Sequence, residues 1–330
     1  MPSPTIPDRT FGALLGTAVG DALGVPYEFA RRLGPAEIPE MVGGGLGSYQ
    51  PGEWSDDTTM AVAIAQAVAD GHDLTSDAGL DAVARGFLRW YTDFDGIPPD
   101  IGNQTRAVLA ATSRRLDADP DASVGTVMRE EALVYAAENR RSAGNGALMR
   151  TAPVAVAHLD SRDVLADAAR AVAGLTHADA LAGDSCVVWC EAIRVAITDE
   201  RLDVRAGLDL LPAARRDQWS AWLDDAATQD PGCFSANGFT VTALQAATAA
   251  VLQTPIGDDP SAHLEQALYA AIRIGHDADT IAAIAGGLLG ARWGARAIAD
   301  EYRDAVHGWP FVDGRATDAD DLRRMVDAVR

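Results

Sequence analysis

A hydroxyl and two adjacent carboxylates precede an apolar, alanine-rich segment in the first quarter of the sequence. These residues are Ser55, Asp56 and Asp57, and a helix is predicted to follow over residues 58–70. One interpretation is helix capping, because serine is a preferred N-cap residue and carboxylates in a first turn are stabilised by free N–H groups. The alternative is a metal site, since hydroxyl and carboxylate oxygens suit Mg²⁺, Mn²⁺ or Ca²⁺. This first acidic cluster alone is compatible with either interpretation.

A second acidic cluster stands near the other end of the chain. Asp277, Asp279 and Thr280 introduce another apolar segment, predicted as a helix over residues 279–298. Capping explains this cluster poorly, because one aspartate would serve as a cap. A cation at a helix N-terminus opposes the helix dipole, so several carboxylates are required to hold it. The two clusters together favour two helix starts that converge on shared cations.

The composition is that of a globular protein with a strongly acidic surface. Of 330 residues, 48% are hydrophobic and 23% are charged, enough to bury a large core. The formal net charge is −21, which disfavours binding to a nucleic-acid backbone or to an anionic membrane. All 27 basic residues are arginines, so a P-loop lysine and a Schiff-base lysine are excluded. We therefore expect local donors or bound cations to meet any phosphate group of a ligand.

The cysteines and the hydropathy of the chain bear on its compartment. Cys186, Cys190 and Cys233 are an odd number, which argues against a disulfide framework and for a reducing compartment. Cys186 and Cys190 have the spacing of half a zinc site, but no matching Cys/His pair appears, so burial as small apolar residues is favoured. The sequence lacks the pattern of a signal peptide and any stretch typical of a membrane span. The predicted location is the cytoplasm.

Helical periodicity dominates the sequence, with apolar residues spaced three to four apart. Alternating strand patterns are almost absent, and no fixed-period repeat indicates a solenoid. Alanine- and glycine-rich faces, as in residues 281–290, permit close helix contacts around a buried central helix. We expect an all-α, compact multi-helix bundle that forms a single domain over residues 1–330. The predicted helices span residues 10–23, 58–70, 77–92, 103–115, 123–138, 147–158, 162–173, 179–197, 239–252, 261–273, 279–298 and 319–329.

Several segments of the chain, in this order, resemble the ADP-ribosylglycohydrolase family. They are residues 11–24 with Glu28, and residues 54–60, 100–105, 144–150, 176–177 and 277–280. The resemblance implies an all-α fold and a centre of two divalent cations, Mg²⁺ or Mn²⁺. It also implies hydrolysis of the bond between the anomeric carbon of ADP-ribose and a side chain. The expected partner is an ADP-ribosylated protein or a small ADP-ribosyl conjugate.

The resemblance further implies roles for individual residues. The metal ligands would be the members of the two acidic clusters, Ser55, Asp56, Asp57, Asp277, Asp279 and Thr280. Glu28 and Asp100 would be catalytic, either one stabilising an oxocarbenium-like state or handling the proton. The substrate-binding residues would be Asn103, which faces the distal ribose, His177, and the segment Gly144, Asn145 and Gly146, which receives the diphosphate or adenosine part. Structural alternatives are a hydrogen-bonded histidine at a helix junction for His177 and turn-forming asparagines for Asn103 and Asn145. His276 and Ala180 depart from the glycine and proline that many relatives carry, and His276 bears on the size of the pocket.

Three functions remain open from the sequence. The first is hydrolysis of an ADP-ribosyl side chain, with arginine expected because an acidic cleft attracts a guanidinium, and a serine or O-acetyl linkage as the alternative. The second is a catalytically inactive binding or structural relative, such as the lens crystallins of this family. That function predicts lost metal ligands, yet every member of the two acidic clusters carries an oxygen side chain. The third is a metal phosphohydrolase that acts on a dinucleotide.

Overall fold

Helices make up almost all of the regular structure in the computed structural model, which describes residues 4–329. Between these limits, no helix is both long enough and apolar enough to cross a bilayer. The all-α prediction is confirmed, while the single-domain assignment over residues 1–330 stays a prediction. The helices are α1 (Ile6–Gly24), α2 (Asp56–Ala69), α3 (Asp77–Asp93), α4 (Asn103–Ala118), α5 (Val124–Glu138), α6 (Ala152–Ala157), α7 (Arg162–Ala173), α8 (Ala180–Asp199), α9 (Ala213–Thr228), α10 (Thr240–Gln253), α11 (Pro260–Ile274), α12 (Ala278–Trp293), α13 (Asp300–Ala305) and α14 (Ala319–Asp327).

Helices α1 and α12 form the centre of the bundle. Residues 8–24 of α1 and 278–291 of α12 are all buried. Both segments consist mainly of small and apolar residues on every face, which is typical of a helix surrounded by protein. Helices α2, α8, α10, α11 and α14 pack around this central pair. The two acidic clusters therefore lie at the N-terminal ends of helices that reach into the middle of the fold.

Glycines allow α1 and α12 to pack backbone against backbone. A Cβ atom added at Gly16 would lie 2.1 Å from the carbonyl oxygen of Gly286. Three other glycines of α1, which with Gly16 are spaced four residues apart, lie against successive turns of α12; they are Gly12, Gly20 and Gly24. We call this line of four glycines the glycine seam. The two helices run antiparallel, so the C-terminal end of α1 meets the N-terminal end of α12. This arrangement places Asp21 beside Asp279.

The glycine seam leads to a prediction about stability. We expect Gly16→Ala to lower the free energy of unfolding by about 3 kcal/mol, because the clash is with backbone atoms that cannot rotate away. Urea unfolding followed by circular dichroism measures the change. Gly257→Ala is the matched control, since nothing lies within 4 Å of a Cβ atom there. Equal stabilities for the two variants would show that the seam is looser than described.

The structure differs from the predicted helices in a few places. No helix was predicted between residues 197 and 239, but helix α9 occupies Ala213–Thr228. This helix is mostly polar and buries only Trp219, Leu223 and Ala226, so its periodicity is weak. The helix predicted over 147–158 begins later, at Ala152, where Pro153 fits the first turn. The helix predicted over 279–298 ends at Trp293.

A small hairpin near the C-terminal end of the chain was also missed. Strand β1 (His307–Val312) pairs antiparallel with β2 (Arg315–Asp318). Asp313 and Gly314 connect the strands with φ angles of 52° and 79°. An Asp-Gly pair is a favoured two-residue hairpin turn, because both positions require positive φ. That dipeptide was the available signal for the hairpin.

The cysteines lie away from any group of clustered ligands. Cys186 and Cys190, one turn apart on α8, are buried, and Cys233 is exposed. Cys190 Sγ lies 3.0 Å from Thr151 Oγ1. Burial raises the pKa of the Cys186 thiol to about 12. Cys186 and Cys190 therefore have the surroundings of small core residues.

Candidate active site

Ser55 and Asp277 begin the two helices in different ways. Ser55 is the N-cap of α2, since its Oγ accepts from the Asp57 N–H at 3.5 Å and donates to Asp57 Oδ2 at 3.0 Å. Asp277 occupies the N-cap position of α12, but its side chain makes no capping hydrogen bond. Its carboxylate instead accepts from Asn145 Nδ2 at 2.7 Å. Capping thus accounts for Ser55 and leaves the second acidic cluster without a capping explanation.

Asp21 is a member of the site that the sequence analysis did not assign. It projects from α1, is completely buried, and accepts hydrogen bonds from the Ser55 and Thr58 N–H groups at 3.0 and 2.9 Å. It therefore satisfies the free N–H groups of α2 from a neighbouring helix. The available signal was a single charged residue among the small and mostly apolar residues 10–24 of that helix.

Two groups of carboxylates come close enough to share a cation. One oxygen from each of Asp21, Asp57 and Asp279 lies within 4.8 Å of the others. The same holds for Glu28, Asp100 and Asp279, so Asp279 belongs to both groups. Thr280 Oγ1 also donates to Asp57 Oδ2 at 3.4 Å, which joins the second acidic cluster to the first.

Burial and mutual repulsion act on these carboxylates. Burial, followed by repulsion from Glu28 and Asp57, raises the pKa of Asp279 well above its usual range. Burial, followed by repulsion from Asp21 and Asp56, does the same to the pKa of Asp57. Like charges gathered in a protein interior require either protons or a counter-ion.

Buried oxygen atoms without a hydrogen-bond partner favour a counter-ion over protons as the means of offsetting this repulsion. Within the described part of the chain, Glu28 Oε2, Asp57 Oδ1 and Asp279 Oδ1 are buried and have no hydrogen-bond partner. Buried polar atoms are normally paired, so such atoms need an explanation. Carboxylate and hydroxyl oxygens are the ligands of hard divalent cations. The residues present therefore fit a divalent-cation centre.

Glu28 and Asp100 form a carboxyl pair at the edge of the acidic groups. Glu28 follows the end of α1 and is only 9% exposed, while Asp100 is partly buried and has a φ of 64°. Burial, and then a hydrogen bond with Asp100, raise the pKa of Glu28 to about 11. Burial also raises the pKa of Asp100, against the effect of the same hydrogen bond. Two carboxyl groups with raised pKa values and a hydrogen bond between them are able to share a proton.

A cavity of about 620 Å³ opens in front of the acidic groups. All of the predicted site residues line it except Ser55 and Asp57, which lie behind the lining. Apolar and basic side chains complete the lining, among them Phe29, Leu46, Arg106 and Arg141. We call this space the site cavity. A separate cavity of about 690 Å³, between the end of α2 and α14, contains no member of the acidic clusters.

Asn145 supports the second acidic cluster as well as lining the site cavity. Its Nδ2 donates to Asp277 Oδ2 and, at 3.0 Å, to the carbonyl oxygen of Asn237. Asn237 Oδ1 in turn accepts from the Asp277 N–H at 3.2 Å. The sequence analysis assigned Asn145 to the substrate and did not assign Asn237. Both amides hold the Asp277 carboxylate and backbone in place.

Of the other residues singled out in the sequence, Asn103 and His177 line the site cavity, whereas His276 and Ala180 do not. Asn103 is exposed at the start of α4, where its Oδ1 accepts from Arg106 at 2.8 Å. His177 is 3% exposed, and its Nδ1 lies 2.8 Å from Thr176 Oγ1. His276 is exposed with a φ of 60° and is not a lining residue, so its imidazole does not narrow the site cavity. Ala180 begins α8 directly after its N-cap, Asp179.

Comparisons with known proteins agree on one family. The sequence profile of the ADP-ribosylglycohydrolases matches residues 2–330. An ADP-ribosylarginine hydrolase of Pseudomonas putida is 28% identical over 97% of this chain and 80% of its own length. An ADP-ribosyl-[dinitrogen reductase] glycohydrolase of Rhodospirillum rubrum is 28% identical over 100% of this chain and 98% of its own. A solved chain from an ADP-ribosylglycohydrolase-related protein complex has a TM-score of 0.69 at 26% identity, covering 98% of this chain and 97% of that one.

Proposed function

Because the chain belongs to the ADP-ribosylglycohydrolase family, we propose that it hydrolyses the bond between ADP-ribose and a protein side chain and releases ADP-ribose. The observation that carries the proposal is the position of Asp279, which belongs to both carboxylate groups and has a buried, unpaired oxygen. The site cavity, at about 620 Å³, falls in the range of small-molecule sites. Its lining combines carboxylates, which suit cations, with amide, imidazole and guanidinium groups.

We further propose that the members of the two acidic clusters hold two divalent cations, Mg²⁺ or Mn²⁺. Asp21 would fix the start of α2 and add a third carboxylate beside Asp57 and Asp279. Bound divalent cations supply the positive charge that grips ribose hydroxyls and lowers the pKa of an attacking water. The Asn145 and Asn237 side chains would orient Asp277, as residues behind a metal site commonly do.

The carboxyl pair would manage the proton and the charge at the anomeric carbon. Cleavage of a glycosidic bond passes through an oxocarbenium-like state, which a nearby carboxylate stabilises. Glu28, with its raised pKa, is suited to hold a proton, while Asp100 is suited to carry negative charge toward the sugar. His177 and the backbone of residues 144–146 would contact the rest of the ADP-ribose.

We expect arginine-linked ADP-ribose to be hydrolysed about tenfold faster than the serine-linked form at low salt. The net charge of −21 attracts a cationic leaving group, and salt should reduce this advantage. The two relatives named above act, by their names, on ADP-ribosylarginine and on dinitrogen reductase. Initial rates on matched arginine- and serine-linked peptides, at low and high salt, measure the effect. A preference for serine, or an arginine preference that salt leaves unchanged, would contradict the electrostatic argument.

The same assay distinguishes the competing functions. Arginine-, serine- and acetyl-linked ADP-ribose are each incubated with the protein and Mg²⁺ or Mn²⁺, and the products are separated by chromatography. Free ADP-ribose supports the proposed hydrolase, whereas AMP supports a phosphohydrolase. Binding of ADP-ribose with no product from any of the three would support a binding or structural protein.

A further inference from the structure

Arg150 is a completely buried arginine behind the site cavity, in the segment between the short turn Asn145–Ala147 and α6. Its guanidinium contacts neutral groups: the Thr176 hydroxyl at 2.8 Å, Met60 Sδ at 3.3 Å and the ring of Phe87, whose centroid lies 4.4 Å away. No salt bridge to Arg150 is found within residues 4–329. Burial of a charge without a counter-charge is costly, so a residue of this kind calls for a specific role.

The Thr176 hydroxyl connects Arg150 to His177. Thr176 is completely buried, and its Oγ1 lies 2.8 Å from both the Arg150 guanidinium and His177 Nδ1. Arginine can only donate, so Oγ1 is the acceptor in that bond. The single hydroxyl hydrogen is then free to point at Nδ1, the other polar atom in contact with it. If Oγ1 instead accepted from an Nδ1–H as well, the buried hydroxyl hydrogen would have no acceptor among these contacts. The contacts therefore favour an accepting Nδ1, which leaves the ring proton of a neutral imidazole on Nε2.

The Nε2 edge of His177 faces the glycines of the site cavity. A Cβ atom added at Gly144 would lie 3.1 Å from Nε2, and one added at Gly146 would lie 3.2 Å from it. Thr176 is held in turn, because its carbonyl oxygen accepts from Gln104 Nε2 at 3.0 Å. Burial and the charge of Arg150 lower the pKa of His177 to about 3, which keeps the ring neutral.

We propose that Arg150 is a positioning residue that, through the Thr176 hydroxyl, fixes His177 as the Nε2–H tautomer and so presents a neutral hydrogen-bond donor to the site cavity. The acceptor would be an oxygen of the phosphate or ribose groups of the ligand. The identity of that ligand rests on the proposed function, whereas the tautomer does not. A neutral donor contributes direction and selectivity for oxygen without adding a second buried charge.

The tautomer is measurable without substrate. Long-range ¹H–¹⁵N NMR spectra at pH 7 separate protonated from unprotonated ring nitrogens, and the signal lost in His177→Gln identifies the residue. We expect an unprotonated Nδ1 and a protonated Nε2 in the unmodified protein. Thr176→Ser should keep that pattern, and Thr176→Val should give a mixture of tautomers. A protonated Nδ1 in the unmodified protein, or an unchanged pattern in Thr176→Val, would overturn the proposal.

Kinetics test the consequence for the ligand. Thr176→Val should raise KM for the ADP-ribosyl substrate about tenfold and change kcat less, as expected for loss of one oriented hydrogen bond. Thr176→Ser should stay within about twofold. Arg150→Met should shift the tautomer and KM in the same direction as Thr176→Val. If Arg150→Met does not fold, the comparison of Thr176→Val with Thr176→Ser tests the proposal. A shifted tautomer with unchanged KM would refute the role in ligand binding, and absence of activity in the unmodified protein would count only against the proposed function.

Discussion

Asp279→Asn is expected to reduce hydrolysis of ADP-ribosyl substrates by about a thousandfold or more while the helical fold is kept. Asp279 contributes an oxygen to both carboxylate groups, so one substitution removes a charge that the two groups share. The amide preserves the volume of the side chain and removes only its charge. The variant should also lose most of its affinity for Mn²⁺, which titration calorimetry measures directly.

Thermal unfolding provides an independent measurement on the same variant. In EDTA, Asp279→Asn should unfold at the same or a higher temperature than the unmodified protein, because it removes one of several repelling buried carboxylates. Added Mn²⁺ should stabilise the unmodified protein and have little effect on the variant. Asp217→Asn, at an exposed position of α9, is the matched control. Full Mn²⁺ binding by Asp279→Asn would refute the assignment of this residue as a ligand.

Glu28→Gln is expected to lower kcat by about a hundredfold to a thousandfold, with Mn²⁺ affinity changed only a few-fold. Glutamine retains the shape of Glu28 but cannot hold and release a proton, which is the role proposed for this carboxyl group. Initial-rate kinetics and calorimetry on one preparation separate the two effects. Parallel measurements on Asp100→Asn show which member of the pair matters more for the chemical step.

The outcome also decides between two roles for Glu28. The sequence analysis assigned it to catalysis and not to the metal ligands. In the structure, however, a carboxylate oxygen of Glu28 lies within 4.8 Å of oxygens of Asp100 and Asp279, close enough for the three to share a cation. Equally large losses of turnover and of Mn²⁺ affinity would place Glu28 among the ligands. A loss confined to kcat would support the catalytic role.

The sequence reveals those parts of the site that are local along the chain. Each acidic cluster is a run of adjacent oxygen-bearing residues before an apolar helix, a pattern that needs no knowledge of the fold. Asp21 is different, because its role depends on the antiparallel register of α1 and α12 and on the start of α2 lying against both. Local sequence patterns do not contain that information, so Asp21 entered the sequence analysis only as part of the segment 11–24 that resembles the family.

The fold shows the same division. Strongly periodic helices such as α3 and α7 were predicted nearly to their ends, because each has a continuous apolar stripe. Helix α9 lacks a continuous apolar stripe that the sequence could reveal. A few residues hold it against the rest of the protein, such as Trp219, whose indole N–H donates to the buried Asp184 at 3.2 Å. Asn237 was missed for a related reason, since a loop asparagine has no visible target until α12 is placed beside it.

The contact between α1 and α12 has a practical consequence for protein engineering. A carbonyl group of one helix occupies the space that a side chain at Gly16 would need, so no smaller partner residue can make room for it. Randomising either helix would therefore yield mostly unfolded clones, whatever activity is selected. A combinatorial library for new leaving groups is better directed at the rim, where Phe29 and Leu46 line the site cavity and are each 60% exposed. Substitutions there change which leaving groups can enter the site cavity and leave the two acidic clusters unchanged.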